Sequence, residues 1–409
     1  MSSIGTVEKL IGRRVLNSQG NFTVEVETIG SGGKGVGSTP LGTTNGQFDS
    51  PRVSVEEALT RLDQVSRLLA GRDICDQRAI DEILRAVLVE PVHERPAANL
   101  ACAISLSVCD AAARVRNVPV WRHVSDTFGA SPTCPDLAVN VIGGGSHDDT
   151  GSPVTEAMLI TTGVDIESGI EKLGGALNSL RDMCASRYGA ASLAVGVEGG
   201  LTPAIESPEE LLGLLSETLD GEDHFQCLNI GLDMAGNGLV HSASERVYSM
   251  GTLLTRAELV DRYIRWLRDW PRISYLEDPF SDNDVDAWRS LAVLVKDQAR
   301  GCSLVADDLL ATQLYRFTSL EGDQLANSVI AKVDQNGTVS GMADFVQIAR
   351  KRGMEVVVSQ RSQETDQSIL VDLAVGMGAD TLKAGCISRE RIIKYNRLMR
   401  IVSMELPKQ

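Results

Sequence analysis

The chain has 409 residues, of which 43% are hydrophobic and 23% are charged, as in an ordinary globular protein. This composition excludes a disordered chain, which lacks the apolar side chains that offset the entropy lost on folding. Asp and Glu outnumber Lys and Arg by 55 to 39, so nucleic acid and anionic membranes are poor partners. We expect a cytoplasmic protein, because no apolar secretory signal opens the sequence and no run reaches the roughly 18 apolar residues of a membrane span.

The N-terminal part of the sequence predicts an α+β unit. Gly5 to Leu16 and the alternating segment Phe22 to Thr28 predict an antiparallel hairpin. The stretch from Gly30 to Ser50 is rich in Gly, Ser and Thr and predicts a mobile loop. Helical patterns follow at Val55 to Leu69 and at Ala97 to Arg116, and the second has so few charges that we expect a buried helix.

From Leu137 onward, short apolar runs alternate with amphipathic stretches, which is typical of β/α units around a parallel sheet. The predicted strands are Ala138–Ile142, Ala157–Ile160, Ser192–Val197, Cys227–Leu232, Ile273–Leu276, Cys302–Ala306, Ser328–Ala331, Glu355–Val358 and Asp380–Leu382. The predicted helices include Asp165–Met183, Arg256–Arg268, Val285–Val295, Gly341–Arg352 and Arg389–Val402. About eight strands in roughly 250 residues predict a closed (β/α)8 barrel. An open doubly wound sheet is the alternative, which the lack of a GxGxxG turn after any strand disfavours.

Polar side chains follow the late strands in series. Three carboxylates come first, Asp233, Glu277 and Asp307, and two lysines, Lys332 and Lys383, follow later strands. One such residue after a strand is usually the N-cap of the next helix. Capping does not explain the lysines, because a cation at a helix N-terminus opposes the helix dipole. In a barrel, this series meets at the C-terminal face, where active sites lie.

The series predicts a metal-assisted proton abstraction. Converging carboxylates repel one another unless a cation neutralises them, and oxygen ligands select Mg²⁺ before Ca²⁺. Asp233, Glu277 and Asp307 are therefore the predicted metal ligands. We expect burial and mutual repulsion to lower the pKa of Lys332 and Lys383, so that a neutral amine is available as a base. Such a base suits removal of a proton α to a carboxylate.

An ordered set of motifs resembles the enolase family, nearly from end to end. The motifs are LNSQGNFTVEVE, PLGTTNG, VIGGGSH, VEGG, IGLD, LEDPF, ADDL, AKVDQNGTVS, VSQRSQET and LKAGCISRERIIKYNRL. The resemblance implies an N-terminal capping domain at residues 1–130 and an enolase-type (β/α)8 barrel at residues 136–409. It also implies interconversion of 2-phosphoglycerate and phosphoenolpyruvate, two Mg²⁺ sites and a homodimer or higher homo-oligomer. The second Mg²⁺ site would be completed by the substrate and a mobile loop.

The resemblance implies a role for each matching residue. Lys332 takes the C2 proton, Glu198 with Glu156 beside it assists loss of the 3-hydroxyl, and His147 closes over the substrate. Lys383 contacts the substrate carboxylate, and Arg361 and Ser362 contact its phosphate. Thr44 falls at the loop position that binds the second Mg²⁺. The substrate-binding positions implied by the resemblance are Lys383, Arg361, Ser362, Gln360, Thr155 and Ser359.

Several positions depart from the family pattern. The hairpin has Asn17 and Gln19 where enolases have Asp and Arg, and the first loop has Leu41 and Thr44 in place of serines. Thr155 replaces a Gln, Gln360 replaces a His, and Gln363 replaces a Gly. A glutamine cannot carry the charge that strengthens a hydrogen bond to phosphate, so the departures predict a weakened or reshaped phosphate end.

Three functions therefore stay open. The first is 2-phosphoglycerate dehydration or a close variant on a related phosphorylated or phosphonylated three-carbon acid. The second is a specialised paralogue in phosphonate or phosphinate biosynthesis, which would transfer a phosphonyl group from CMP-phosphonoformate to make carboxyphosphonoenolpyruvate. The third is a non-catalytic binding role. The intact carboxylates and lysines argue against the third, because an unused site has no physical reason to keep mutually repelling charges.

Overall fold

The computed structural model describes residues 5–42, 46–90, 95–145, 152, 154–243, 246–320 and 324–406. The N-terminal unit pairs three antiparallel strands in sequence order and packs them against helices. The longer strands are β1 (Val7–Leu16), β2 (Phe22–Gly30) and β3 (Gly33–Ser38). The remaining elements are α1 (Val55–Leu69), α2 (Gln77–Val87), β4 (Val89–Glu90), β5 (Arg95–Pro96), α3 (Ala98–Val115) and α4 (Val120–Phe128). The predicted hairpin and both predicted helices are confirmed.

Strand β3 lies where the sequence predicts a loop, and that prediction is wrong for residues 33–38. Its glycines lower its strand propensity, but they let the sheet rest directly on the backbone of α3. A Cβ atom at Gly35 would lie 2.1 Å from the amide nitrogen of Ala111 and 2.3 Å from the carbonyl oxygen of Ser107. Close packing against the helix therefore selects glycine here.

We expect Gly35→Ala to lower the free energy of unfolding by about 1–3 kcal/mol, because the sheet must move away from α3. The matched control is Gly174→Ala, inside a later helix, where a Cβ atom meets nothing within 4 Å. That control should be stabilising by about 0.5–1 kcal/mol, because alanine favours a helix interior over glycine. Urea unfolding followed by circular dichroism measures both changes. Equal midpoints for the two variants would contradict the packing argument.

Helix α3 is apolar along its whole length. Among the described residues it is the one helix long and apolar enough to cross a membrane, with a mean hydropathy of 1.3 over 18 residues. In the folded chain, 83% of this stretch is buried inside the protein, which agrees with the buried helix that its composition predicts.

The second part of the chain forms a closed barrel of eight strands. The barrel strands are β6 (Asp136–Gly143), β7 (Glu156–Thr161), β8 (Leu228–Asp233), β12 (Ile273–Glu277), β13 (Ser303–Ala306), β14 (Ser328–Ala331), β15 (Glu355–Ser359) and β16 (Thr381–Lys383). Between β8 and β12, a small sheet is formed by β9 (Val240–Ser242), β10 (Val247–Ser249) and β11 (Leu253–Thr255). The predicted α/β class and barrel are confirmed.

Helices surround the barrel. They are α5 (Ile166–Tyr188), α6 (Pro208–Asp220), α7 (Arg256–Asp269), α8 (Val285–Gln298), α9 (Leu314–Ser319), α10 (Val333–Asn336), α11 (Val339–Lys351), α12 (Ile369–Gly376) and α13 (Ile392–Arg400). Many of these helices begin at a residue whose side-chain oxygen accepts a hydrogen bond from a backbone N–H of the first turn. That N–H group has no partner within the helix itself. These N-caps in the barrel helices are Asp165, Ser207, Thr255, Asp284 and Thr338.

Strand β7 runs antiparallel to both of its neighbours, although the sequence predicts parallel β/α units throughout. Residues 144–155 join β6 to β7, and the chain turns back there to pair antiparallel with β6 instead of crossing over. The reversal brings the first residue of β7, Glu156, into register with Asp233, the last residue of β8. Glu156 therefore lies at the same end of the barrel as the late strand ends.

The predicted strand Ser192–Val197 is wrong. Residues Ala190–Leu193 form a 3-10 turn, and Val195 makes only an isolated bridge to Leu201. An apolar run of this length does not by itself distinguish a strand from a turn packed on the core.

The two parts of the chain have separate hydrophobic cores, one drawn mainly from residues 7–111 and the other mainly from the barrel. Between α4 and β6 lie residues 129–135, which contain two prolines. We therefore retain the division into domains 1–130 and 136–409 as a proposal.

Candidate active site

A polar cavity of about 480 Å³ lies at the C-terminal mouth of the barrel. Most residues that the sequence predicts for the site contribute to its walls. The predicted residues that line it are Thr155, Glu156, Glu198, Asp233, Asp307, Lys332, Ser359, Gln360, Arg361, Ser362 and Lys383. Glu277 lies at the same mouth but is only 1% exposed. Thr44 and His147 lie outside the described residues.

Lys383 spans the mouth and joins the carboxylates of the opposite strands. Its Nζ atom donates to Oδ2 of Asp233 at 3.0 Å and to both oxygens of Glu277 at 2.8 and 2.9 Å. It also lies 3.3 Å from Oε1 of Glu156. Adjacent strand ends explain the convergence, because Glu277 and Asp233 are in register across β12 and β8. Two of the three predicted metal ligands, Asp233 and Glu277, thus both accept hydrogen bonds from the ammonium of Lys383.

The third predicted ligand, Asp307, pairs with Lys332. The ammonium of Lys332 donates to Oδ2 of Asp307, and the side-chain amide of Gln335 donates to Oδ1 at 3.1 Å. The backbone N–H of Lys332 donates to the hydroxyl of Thr312 at 3.0 Å, which fixes the strand end from which the lysine extends. The lysine and this carboxylate therefore face the same cavity.

The expectation of lowered lysine pKa values is wrong for this arrangement. Burial acts to lower the pKa of Lys332, but the contact with Asp307 prevails and raises it. Burial likewise acts to lower the pKa of Lys383, and the carboxylates of Asp233, Glu156 and Glu277 raise it well above its ordinary value. Opposite charge at contact distance outweighs the repulsion between the two amines.

The chemistry of the acidic side chains fits a hard cation. Ligand oxygens of Asp278, Asp307 and Asp308 lie within 4.8 Å of one another. Burial and Asp307 raise the pKa of Asp308 to about 7, and burial and Asp233 raise the pKa of Glu277 to about 8. Crowded carboxylates with raised pKa values favour binding of a divalent cation, and their oxygens are the ligands that Mg²⁺ prefers.

Asp278 has a further role in shaping this region. Its two carboxylate oxygens accept the backbone N–H groups of Asp307 and Asp308 at 3.0 and 2.8 Å. Its own backbone has a φ of 40°, a left-handed conformation that Asp adopts more readily than most residues. Asp278 therefore holds the segment that carries two acidic groups of the site.

Glu156 and Glu198 form the wall opposite Asp307 and Lys332. Both are buried, and burial raises the pKa of Glu156 well above its ordinary value, with the Glu198 carboxylate raising it further. Oε2 of Glu198 accepts a hydrogen bond from the side-chain amide of Gln360 at 2.9 Å. Glu198 is therefore close enough to Glu156 to disfavour a negative charge there.

Arg361, one of the two residues predicted to contact the substrate phosphate, belongs to a buried network of ion pairs. The Arg361 guanidinium lies 3.3 Å from Asp49 and 3.5 Å from Asp334, and Asp334 also pairs with Arg52 at 2.9 Å. Glu364 accepts the backbone N–H of Arg361 at 2.9 Å, which fixes the backbone at this position.

Three residues that depart from the family pattern, Asn17, Leu41 and Gln363, contact one another beside the cavity. The side-chain amide of Asn17 donates to Oε1 of Gln363 at 2.9 Å, and Gln363 and Leu41 exchange backbone hydrogen bonds at 2.9 and 3.0 Å. An aspartate at position 17 could not donate this bond. Gln19 donates its backbone N–H to Oδ1 of Asn17 at 3.0 Å, and Thr155 donates its own to the carbonyl of Asp233 at 3.1 Å.

The sequence prediction missed four residues that shape the site: Asp49, Asp278, Asp308 and Arg391. Asp278 and Asp308 each directly follow a predicted ligand, which is a signal that could have identified them. Arg391 lies within the motif LKAGCISRERIIKYNRL, which could have identified it, whereas Asp49 reaches the site from a loop and gives no local signal.

Comparisons with known proteins agree with this geometry. The family described as "Enolase, N-terminal domain" matches residues 7–124, and "Enolase, C-terminal TIM barrel domain" matches residues 132–407. A protein named "Enolase" from Methanococcoides burtonii is 31% identical, covering 97% of this chain and 95% of its own. "Enolase B" from Dictyostelium discoideum is 29% identical, with 97% and 94% covered, and "Enolase" from Solanum lycopersicum is 29% identical, with 97% and 95% covered. The chain belongs to the enolase family.

Proposed function

We propose that this protein is a Mg²⁺-dependent lyase that removes water from 2-phosphoglycerate to give phosphoenolpyruvate, or acts on a closely related three-carbon acid. The observation that carries the proposal is the composition of one cavity. Lys332 follows β14, Glu156 begins β7 across the barrel from it, and Glu198 lines the same cavity. An amine and an acid on two sides of a small substrate are the groups that a β-elimination requires.

In the proposed reaction, Lys332 takes the proton from C2 as its neutral amine. Mg²⁺ held by Asp307 would favour this form, because it would offset the carboxylate charge that raises the pKa of Lys332. The electron pair of that C–H bond forms the C2–C3 double bond, and hydroxide leaves C3. Glu198, with Glu156 beside it, supplies the proton that turns the leaving hydroxide into water. Bound Mg²⁺ would supply positive charge that stabilises the enediolate formed when the C2 proton is lost. Its proposed ligands are Asp233, Glu277 and Asp307.

Binding groups surround these reacting groups. Lys383 is the proposed contact for the substrate carboxylate, and Arg361 with Ser362 for the phosphate. Ser359, Gln360 and Thr155 line the same cavity and would set its shape. His147 and Thr44 keep their proposed roles in loop closure and at a second Mg²⁺ site. From family membership we also propose a cytoplasmic homodimer or larger homo-oligomer.

The test is formation of phosphoenolpyruvate from 2-phosphoglycerate, followed by absorbance with Mg²⁺ in excess. Turnover in the ordinary enzyme range, roughly 1–10³ s⁻¹, supports the proposal. Turnover that is absent, or that persists when the metal is removed with a chelator, contradicts it.

The rim around Gln363 favours a second candidate, the phosphonate paralogue. Asn17, Leu41 and Gln363 depart from the family pattern and contact one another beside Gly42 and Ser362, which line the cavity. In this reaction, the phosphorus of CMP-phosphonoformate would form a bond to an oxygen of the three-carbon acid, and its bond to CMP would break. Release of CMP only when CMP-phosphonoformate and the three-carbon acid are both present would support this candidate. A protein active in neither assay would return the non-catalytic role to consideration.

A further inference from the structure

Gln360 makes hydrogen bonds with both ends of its side chain. It directly follows β15, and only 3% of the residue is exposed. Its backbone N–H donates to the carbonyl of Lys383 at 2.9 Å, so the residue is anchored to the neighbouring strand. Its Nε2 atom donates to Oε2 of Glu198 at 2.9 Å, and its Oε1 atom accepts from Nη1 of Arg391 at 2.7 Å.

Arg391 decides which way the amide of Gln360 points. A guanidinium group can only donate hydrogen bonds, so it must face the oxygen of the amide and not its NH₂ group. Arg391 is fully buried, and backbone carbonyls hold it in place, with that of Arg361 at 2.8 Å and that of Ser362 at 2.6 Å. Turning the amide over would set donor against donor at Arg391 and acceptor against acceptor at Glu198.

Packing leaves this amide little room to move. The neighbouring residue Gly385 has a φ of 76°, and a Cβ atom there would lie 2.5 Å from Nε2 of Gln360 and 3.1 Å from the carbonyl oxygen of Glu198. Tyr395 donates its hydroxyl hydrogen to the carbonyl of Gly385 at 2.5 Å, which fixes the backbone on this side. The amide therefore lies in a slot bounded by Glu198, Arg391 and Gly385.

We propose that Gln360 is a positioning residue whose amide, oriented by Arg391, holds the carboxyl group of Glu198 in place toward the substrate. This proposal rests on the proposed function in assigning Glu198 as the acid, and it revises the substrate-binding role that the sequence suggests for Gln360. Because the bonds of the amide shown in the structure go to Glu198 and Arg391, we place its effect on the reaction through Glu198.

The variant that separates this role from simple packing is Gln360→Glu. The two side chains have the same shape, and a carboxylate still accepts from Arg391, but it cannot donate to Glu198. We expect kcat for 2-phosphoglycerate to fall about tenfold or more while KM changes less than about threefold, because a misplaced acid slows chemistry more than binding. We also expect a lower urea midpoint of unfolding, because two carboxylates then face each other.

A second exchange tests the contact without relying on activity. In the double variant Glu198→Gln with Gln360→Glu, the amide at position 198 can donate to the carboxylate at position 360, so the hydrogen bond returns with its direction reversed. We expect the urea midpoint to return toward that of the wild-type protein while kcat stays low. The matched control is Gln347→Glu, whose wild-type amide donates to the carbonyl of Phe128 on the outside of the barrel at 2.9 Å. Glu198→Gln should not restore its midpoint.

Unchanged kcat in Gln360→Glu would overturn the proposal, as would a raised KM with unchanged kcat, which would indicate direct substrate contact. Failure of Glu198→Gln to restore the urea midpoint would also overturn it. If the wild-type protein does not turn over 2-phosphoglycerate, the proposed function fails, and the urea midpoints alone decide whether Gln360 holds Glu198.

Discussion

Lys332→Ala is expected to lower kcat for 2-phosphoglycerate by about 10²–10⁴-fold, the range that a general base contributes. No other described amine in the cavity can replace it, because Lys383 is held by Asp233, Glu277 and Glu156. The expected defect lies in proton removal, so exchange of the C2 proton with deuterated water should fall together with dehydration.

The fold should survive this change. The backbone N–H of residue 332 keeps its bond to Thr312, and Asp307 keeps its bond from Gln335. The matched control is Lys351→Ala, an exposed lysine at the end of α11, which should leave kcat unchanged. Circular dichroism and urea unfolding verify that the Lys332 variant is folded. Activity retained in a folded Lys332→Ala protein would exclude this lysine as the base.

Glu277→Gln is expected to weaken Mg²⁺ binding by roughly 100-fold, at the upper end of the losses seen when metal-site partners are removed. The change removes one negative charge and one strong ligand oxygen, and the new NH₂ group repels the ammonium of Lys383. Isothermal titration calorimetry of the substrate-free protein measures the affinity without reference to turnover.

Two further variants locate the cation. Asp308→Asn tests the neighbouring group of Asp278, Asp307 and Asp308, whose oxygens lie within 4.8 Å of one another. We expect a smaller effect from it than from Glu277→Gln. Asp297→Asn, an exposed change on α8, is the control and should leave the affinity unchanged. Loss of binding in Asp308→Asn with normal binding in Glu277→Gln would move the proposed site to the second group.

Periodicity predicted the barrel well because most of its strands are buried on both faces. Such strands appear in the sequence as short, continuous apolar runs between amphipathic helices. The same reasoning failed at Ser192–Val197, where an equally apolar run packs as a turn, and at Gly33–Ser38, where the glycines hid a strand. At Gly33–Ser38 the decisive contact is with α3, which is distant along the chain, whereas the backbone of Ser192–Val197 bonds to backbone groups only a few positions away.

The lysine pKa values show a different limit. The sequence places Lys332 and Lys383 at one end of the barrel but does not say which charge each ammonium contacts. Opposite charges prevail over burial, and the pKa of each lysine is raised. The sign of a pKa shift depends on distances of a few ångströms between side chains, which no spacing rule supplies.

The sequence by itself determined the fold class and the residues that end the late strands, because parallel strands in a barrel must deliver successive ends to one face. Only the tertiary structure decided the reversed direction of β7, which brings Glu156 to that face, and the pairing of Lys383 with Asp233 and Glu277. It alone decided the contact between Gln360 and Glu198, which are 162 residues apart. The local pattern of apolar and polar residues predicts which face of a strand or helix a side chain occupies. Its hydrogen-bond partners, in contrast, belong to segments that meet only when the chain has folded.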